Sequence, residues 1–145
     1  MSNVATKGRP KVVSVSKEAT VMDAAKAMVD RRVGATIVLD DGRLAGIFTE
    51  RDVMARVVMK RLNPETTPVT EVMTKTVVTV REDADRSSVL RLMNEHHVRH
   101  LPVVDEQGRV VSVLSMRQLL RAAVQDLEQT VWQLVAETAI DGAGG

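Results

Sequence analysis

The sequence predicts a mixed α/β (α+β) fold built from one unit used twice, the copies packed sheet to sheet about a pseudo-two-fold axis, with a C-terminal helix added. Three observations carry this expectation. Residues 12–58 align with residues 77–124, which is most of a 145-residue chain; internal repetition is the feature that most directly sets an architecture. Each copy reads in the same order: strand, helix, strand, strand, helix. A unit of roughly fifty residues is too small to bury an adequate core alone, so each needs the other.

The alignment can be followed residue by residue. Val12, Val13 and Val15 match Val77, Val78 and Val80; Met28 matches Met93, Val33 matches Val98, and Val38 with Asp40 match Val103 with Asp105. Gln107 is an insertion, after which Gly42-Arg43 matches Gly108-Arg109 and Arg51 matches Arg117.

The elements follow in order. "VVSV" and "VVTV" are β-branched runs, hence first strands. Met22, Ala25, Met28 and Val29 fall on one face of a helix, as do Val89, Leu92 and Met93 in the second copy. "ATIVL" and "HLPVV" are near-continuous apolar strands of the kind buried on both faces. "DDG" and "DEQG" are hairpin turns whose glycines supply a positive φ, and "RLAGIF" and "RVVSVL" return as paired strands. Thr49 and Ser115 cap the helices beginning "ERDVMARVV" and "MRQLLRAAV". Thr49 with Asp52 and Ser115 with Gln118 each have capping-box spacing. A two-proline linker, "KRLNPETTPVTEVMTKT", joins the copies, with Val69, Val72 and Met73 anchoring a short helical turn. The expected boundaries are an N-terminal segment 1–10, a first repeat 11–62, a linker 63–76, a second repeat 77–124, and a C-terminal helix with frayed tail 125–145.

In that last helix Leu120, Val124, Leu127, Val131, Leu134 and Thr138 step by four and three, a coiled-coil-like seam. The seam fits packing on its own module and a dimer contact equally well. Trp132 suits an interface.

Composition narrows the function classes. Charged residues are 27% and hydrophobic ones 44%, an ordinary globular balance. A net charge of +1 sets up no field that demands nucleic acid or an acidic membrane. One Phe, one Trp and no Tyr leave little for stacking on single-stranded bases. The absence of Cys excludes a disulfide framework, a thiolate metal site and a cysteine nucleophile. "MSNVATKGRPK" lacks the apolar stretch of a signal peptide, and no apolar run approaches the ~20 residues of a membrane span. A soluble cytoplasmic protein is expected. His96 and His100 have metal-ligand spacing on a helix, but Val98 lies where the helix should end, so no metal is expected. Nucleophile motif, phosphate-binding loop and glycine-rich dinucleotide turn are all missing, so an enzyme is not expected.

The duplicated unit, "LPVVDEQGRVV" (101–111) and "GIFTERD" (46–52) together resemble the paired cystathionine-β-synthase (CBS) domain, or Bateman module. The resemblance covers nearly the whole chain and implies a free-standing pair with no attached enzyme. It implies regulatory binding of an adenosine-containing ligand between the repeats: AMP first, with ADP, ATP, NAD or S-adenosylmethionine as alternatives. No catalytic cofactor is implied. A homodimer is, and so is a target protein that reads the ligand-induced change.

The family's ribose motif, Gly-apolar-apolar-Ser/Thr-x-x-Asp, maps onto Gly46, Thr49 and Asp52, with Arg51 inside it. A carboxylate suits vicinal hydroxyls because its two oxygens accept from both. In the second repeat Ser112 stands for the glycine and Gln118 for the acid, so the Ser115 cap survives without the carboxylate. The resemblance further implies phosphate contacts from Arg99, His100 and Arg117. It seats the adenine between the first strand (Lys11 to Ser14, taking in Val12 and Val13) and Val33, Gly34 and Ala35. One good site and one degenerate site are expected. The alternative is a structural interaction module with empty clefts.

Overall fold

In the computed structural model, which describes residues 12–143, the duplication takes the form of two three-stranded sheets. The first holds β1 (Ser14–Ser16), β2 (Ala35–Asp40) and β3 (Arg43–Thr49), with α1 (Val21–Arg31) crossing between β1 and β2. β1 runs parallel to β2, and β2 antiparallel to β3. The second sheet repeats this pattern with β4 (Val80–Arg81), β5 (His100–Val104) and β6 (Val110–Ser115), and α3 (Arg86–His96) as its crossover. A register shift falls at Val38/Leu39 in one sheet and at Val103/Val104 in the other, so even the irregularity is duplicated. Lys11, the 1–10 segment and residues 144–145 lie outside the described residues.

The first strands are shorter than "VVSV" and "VVTV" suggested and begin later. Val13 is tied to the sheet, its carbonyl accepting from the Ile37 N–H at 2.9 Å and the Thr36 hydroxyl at 3.1 Å. Val12 and Val77 instead join the apolar layer between the sheets. That layer is built on Ala35, Ile37 and Ile47, with Val110 and Val113 of the second repeat packed against them. Residues of the opposite strand face fill a core within each repeat. Val38 and Phe48 meet Val21, Ala24 and Met28 in the first, while Leu101, Val103 and Leu114 meet Val89 and Met93 in the second. Burial on both faces is the reason these strands read as continuous apolar runs. The linker anchors Val69, Val72 and Met73 belong to the first core, around a short 3-10 turn at Val69–Glu71.

Helix α1 turns a different face inward from the expected one. Val21, Ala24 and Met28 are buried, whereas Val29 is 75% exposed. The two candidate stripes share Met28, and alanines at both 24 and 25 make them nearly equivalent in sequence. Both crossover helices are capped at each end. Thr20 and Asp23 form a full capping box, and Asp85 accepts from the Ser88 N–H at 2.7 Å. Arg32 and His97 close the helices in the left-handed conformation. Helix α3 therefore ends at His96, and His96 and His100 share no helix.

The capping carboxylates make stability acid-sensitive. Backbone N–H donors hold Asp23, Asp85 and Asp105 below the ordinary carboxylate value of 3.8; the donors are Thr20, Ser88 and Arg109 respectively. A depressed folded-state pKa means the unfolded chain binds the proton first as pH falls. Their stabilisation is complete above 3.8 and is lost as pH drops through the lower folded values. Melting temperatures recorded from pH 6 to pH 2.5 should fall below about pH 4. Asp23→Asn and Asp85→Asn should flatten that fall, and an unchanged slope would show that other groups control it.

After Thr49 the chain forms one α turn, α2 (Glu50–Asp52), and then a π-helix over Val53–Val58, where a plain α-helix was expected. The wider register shows in the 3.0 Å bonds from Met59 N–H to the Met54 carbonyl and from Leu62 N–H to the Val57 carbonyl. By contrast α4 (Met116–Ala143) runs 28 residues without interruption, about 42 Å. The expected boundary at 124/125 thus falls inside one helix. Its Ser115 cap accepts from the Gln118 N–H at 3.2 Å, and the reciprocal half of a capping box is not formed among the described residues. Arg86 pairs with Asp126 at 2.8 Å and ties α4 to α3. Leu120, Val124, Leu127, Val131, Leu134 and Trp132 are exposed, so the seam does not pack on its own module.

Candidate ligand-binding site

Two clefts lie between the repeats, related by the same pseudo-symmetry as the sheets. Each combines the strand-start and helix-to-strand junction of one repeat with the capped helix start of the other. The first cleft, about 600 Å³, sets Thr49, Arg51 and Asp52 opposite Thr76–Val78 and His97–Leu101. The second, about 760 Å³, sets Val13 and Arg32–Ala35 opposite Ser115–Gln118 and Arg121. Glu50, Arg99 and His100 line both and form the wall between them.

Asp52 is the carboxylate that the Thr49 cap locks at the first cleft, and its neighbours fix it. Oδ2 accepts from the Thr49 N–H at 3.0 Å and from the Thr49 hydroxyl at 3.1 Å, while Thr49 Oγ1 accepts in turn from the Asp52 N–H at 3.3 Å. Two donors satisfy both lone pairs of Oδ2. Among the described residues Oδ1 has only Arg56 Nε, at 3.6 Å, and keeps its capacity to accept. The side chain is 13% exposed, which limits competition from water. Arg56 is itself held, donating to the Val72 and Met73 carbonyls at 3.0 and 3.1 Å. Arg56 lies within the π-helical stretch, and such bulges recur at functional sites.

The residues expected in one site are divided between the two clefts. Thr49, Arg51 and Asp52 line the first; Val13, Val33, Gly34, Ala35, Ser115 and Arg117 line the second. The structure therefore does not bring Val33–Gly34–Ala35 or Arg117 to Asp52. The surface opposite the acid comes from the end of the linker and the second repeat, at Thr76, Val77, Val78 and Val98. The seat follows from strand crossing: each sheet presents its strand start to the partner's helix start. Val12 packs in the inter-sheet layer and lines neither cleft.

Gly46 also lines neither cleft. A Cβ there would stand 2.5 Å from Met73 Sδ and 2.8 Å from the Thr74 carbonyl. The glycine lets the linker pass, which it does by exchanging bonds of 3.0 and 2.9 Å between Ile47 and Thr74. Sequence reasoning missed Glu50 and Arg56. Glu50 Oε1 would lie 2.9 Å from a Cβ on Gly34, with His100 Cε1 at 3.3 Å from the same point, so Gly34 keeps the two clefts' shared wall thin. Glu50 follows the cap directly and could have been noticed; Arg56 depends on a tertiary contact with the linker.

Burial holds the His100 imidazole below its ordinary 6.5, opposed by the Glu50 carboxylate and reinforced by Arg99. His100 is thus neutral at pH 7 and offers a hydrogen bond in place of the cation expected there. Among the described residues no three His, Asp or Glu side chains are grouped to hold a metal, and no helix is long and apolar enough to cross a membrane.

Comparison with known proteins agrees with this architecture. The family model for the CBS domain matches twice, at residues 3–59 and 69–125. A CBS domain-containing protein of Arabidopsis thaliana is 38% identical over 122 residues, covering 83% of this chain and 22% of its own length. The chain thus spans about a fifth of that relative. A solved protein with CBS domains from Burkholderia ambifaria superposes with a TM-score of 0.81 at 34% identity, over 86% of this chain and 96% of that one. A CBS domain protein from Pyrobaculum aerophilum, solved in complex with AMP, superposes with a TM-score of 0.73 at 29% identity, over 84% and 94%. With both repeats matched and the paired sheets in place, the chain belongs to the CBS domain family.

Proposed function

We propose that the chain is a non-catalytic regulatory module that binds an adenosine-containing nucleotide in the cleft bearing Asp52. AMP is the first candidate, with ATP, NAD and S-adenosylmethionine as alternatives. The observation that carries the reading is the state of the Asp52 carboxylate. One oxygen is locked by Thr49 and the other is oriented by Arg56 with acceptor capacity left for a ribose hydroxyl. Val77, Val78 and Val98 across the cleft give a flat apolar seat for a base, and Arg51 and Arg99 lie in reach of phosphate. A volume of about 600 Å³ is within the ordinary range for small-molecule sites. The AMP complex of the Pyrobaculum relative supports the choice of ligand.

Because both repeats contribute, a bound nucleotide bridges them. It shifts their packing to the extent that it prefers one arrangement over another. A target protein, in the cytoplasm, would read that shift. Calorimetric titration with AMP, ATP, NAD and S-adenosylmethionine tests the reading: at least one should bind with a Kd on the order of micromolar, about −8 kcal/mol. If all four bind only above millimolar and none raises the melting temperature, the chain is a structural interaction module instead. ATP recovered unchanged after incubation with the protein is the expected sign of a non-enzyme.

The exposed α4 seam is assigned to a homodimer contact. Its apolar side chains at coiled-coil spacing stay exposed among the described residues. Light scattering should give a dimer for the wild type and a monomer for Leu127→Glu combined with Leu134→Glu. A dimer that survives both charges would move the contact off this helix.

A further inference from the structure

We propose that the acidic end of α4 docks, through the face that bears Trp132, on the exposed apolar surface of the Val53–Val58 helix in a second copy of the chain. The contact needs no ligand in either cleft and uses none of the seam residues, so it adds to the pairing of α4 with α4.

Two apolar stripes run along the end of α4. Leu127, Val131, Leu134 and Thr138 form the seam. Trp132, Val135, Ala136, Ala139 and Ile140 form a second stripe, displaced by one residue or about 100°. Toward the start of the helix this stripe turns polar, at Gln125 and Arg121, so its apolar part begins only beyond the Arg86–Asp126 tie. Residues 124–140 are exposed throughout, and Trp132 is 71% exposed, so the helix end lies against nothing in its own module. From 122 to 145 the sequence carries Asp126, Glu128, Glu137 and Asp141 and no Lys, Arg or His.

The complementary surface lies on the first repeat. A π-helical bond spans five residues, so Met54, Val58 and Met59 fall one turn apart on one face. All three are exposed, and Leu62, whose N–H bonds to the Val57 carbonyl, extends the stripe by another turn. Leu62 also lines a hollow of about 370 Å³ with Arg56, Lys60, Glu71 and Val72. Lys60 and Arg61 flank the stripe, are exposed, and form no ion pair among the described residues.

Charge and side-chain chemistry select the occupant. An acidic apolar helix and a basic apolar surface are complementary, and both belong to this chain, so a second copy supplies what each lacks. Pairing two Trp132 faces with each other would instead set Glu128 and Glu137 beside their own copies with no base to offset them. An indole buries a large apolar area and attracts a cation over its face, which suits the hollow beside Lys60. Met54 and Met59 adapt their shape to an aromatic partner.

Trp132 is the only tryptophan, so fluorescence of the full chain reads this contact alone. At protein concentrations on the order of 100 µM its emission should be blue-shifted and protected from quenching by acrylamide. Trp132→Ala should weaken self-association roughly thirtyfold in analytical ultracentrifugation. Lys60→Glu combined with Arg61→Glu should expose Trp132 to the quencher and weaken association roughly tenfold. Adding Glu128→Lys and Glu137→Lys to that variant should restore both. All four charged positions are exposed, and an unchanged melting temperature at dilutions where the copies separate checks that the fold is kept.

Three results would overturn the proposal. The first is a Trp132 as open to acrylamide in the native protein as in urea. The second is protection that persists in the Lys60→Glu and Arg61→Glu variant, which would place Trp132 against another α4. The third is failure of the exchanged charges to restore protection, which would assign the loss to the seam or the fold.

Discussion

Asp52→Ala is expected to bind AMP roughly a hundredfold more weakly than the wild type. Hydrogen bonds to a charged acceptor contribute about 1.5–3 kcal/mol each, and the loss of a carboxylate that accepts from ribose amounts to about 3 kcal/mol, or a factor near a hundred. The substitution also removes the acceptor for the Thr49 N–H and hydroxyl and the partner of Arg56, so some loss of fold stability accompanies it. A lost helix cap costs about 1 kcal/mol. The two effects are separable. Asp52→Asn keeps an oxygen that can accept from Thr49 and preserves the shape of the turn, but removes the charge. If Asp52 serves only the cap, Asp52→Asn should bind AMP as well as the wild type, and Asp52→Ala should change the melting temperature without changing Kd. If it holds ribose, both variants lose affinity, and the alanine loses more. Gln118→Asp gives the reciprocal arm: it restores a carboxylate at the matching position of the second repeat, and should add nucleoside recognition to a cleft that otherwise lacks it.

Much of the architecture was open to reading in the sequence because duplication turns weak local signals into paired ones. Gly42 and Gly108 both adopt φ of +79°, as two turns at equivalent places require. Thr49 and Ser115 both cap. What escaped was tertiary in origin. The buried face of α1 was ambiguous because Ala24 and Ala25 carry no distinguishing bulk, and only the sheet beneath decides between them. The π register after Asp52 and the reach of Arg56 to two linker carbonyls are reported by no local propensity. The clefts were mispaired for a related reason. A motif names the acid but not the surface that crosses to meet it. The alignment of Val12 with Val77 and of Val33 with Val98 already held the second repeat's version of that surface. The division of charge was partly visible too: Arg99 was singled out, but Arg32 and Arg121 were not, since exposed arginines on separate helices look like ordinary solvated surface until the fold brings them to one cavity.

Gly46→Val is expected to destabilise the protein by about 3 kcal/mol, at the upper end of what overpacking a core costs. The expectation runs against local propensity. Gly46 is inside β3, where glycine is a poor strand former and valine a good one. The unfolded chain would also lose freedom on gaining a side chain, which favours the substitution by roughly 0.4–1 kcal/mol where the site can accept it. Here it cannot. The nearest obstacle, Met73 Sδ at 2.5 Å, belongs to a side chain that is 7% exposed and has little room to retreat. The next, the Thr74 carbonyl at 2.8 Å, is backbone fixed by its bond from the Ile47 N–H. Accommodating valine means displacing the linker from β3. That would break the Ile47–Thr74 pair and disturb Val72 and Met73, whose carbonyls hold Arg56 and through it Asp52. This gives a packing reason for the difference between the repeats. Only the first is followed by a segment that folds back across its own strand, and the matching position in the second carries Ser112. Urea denaturation distinguishes the outcomes. A lower midpoint, with AMP affinity falling in step as Thr74 moves out of the cleft wall, fits a glycine that makes room for the linker. Stability equal to or above the wild type, with AMP affinity lost, would instead place Gly46 in direct contact with the ligand.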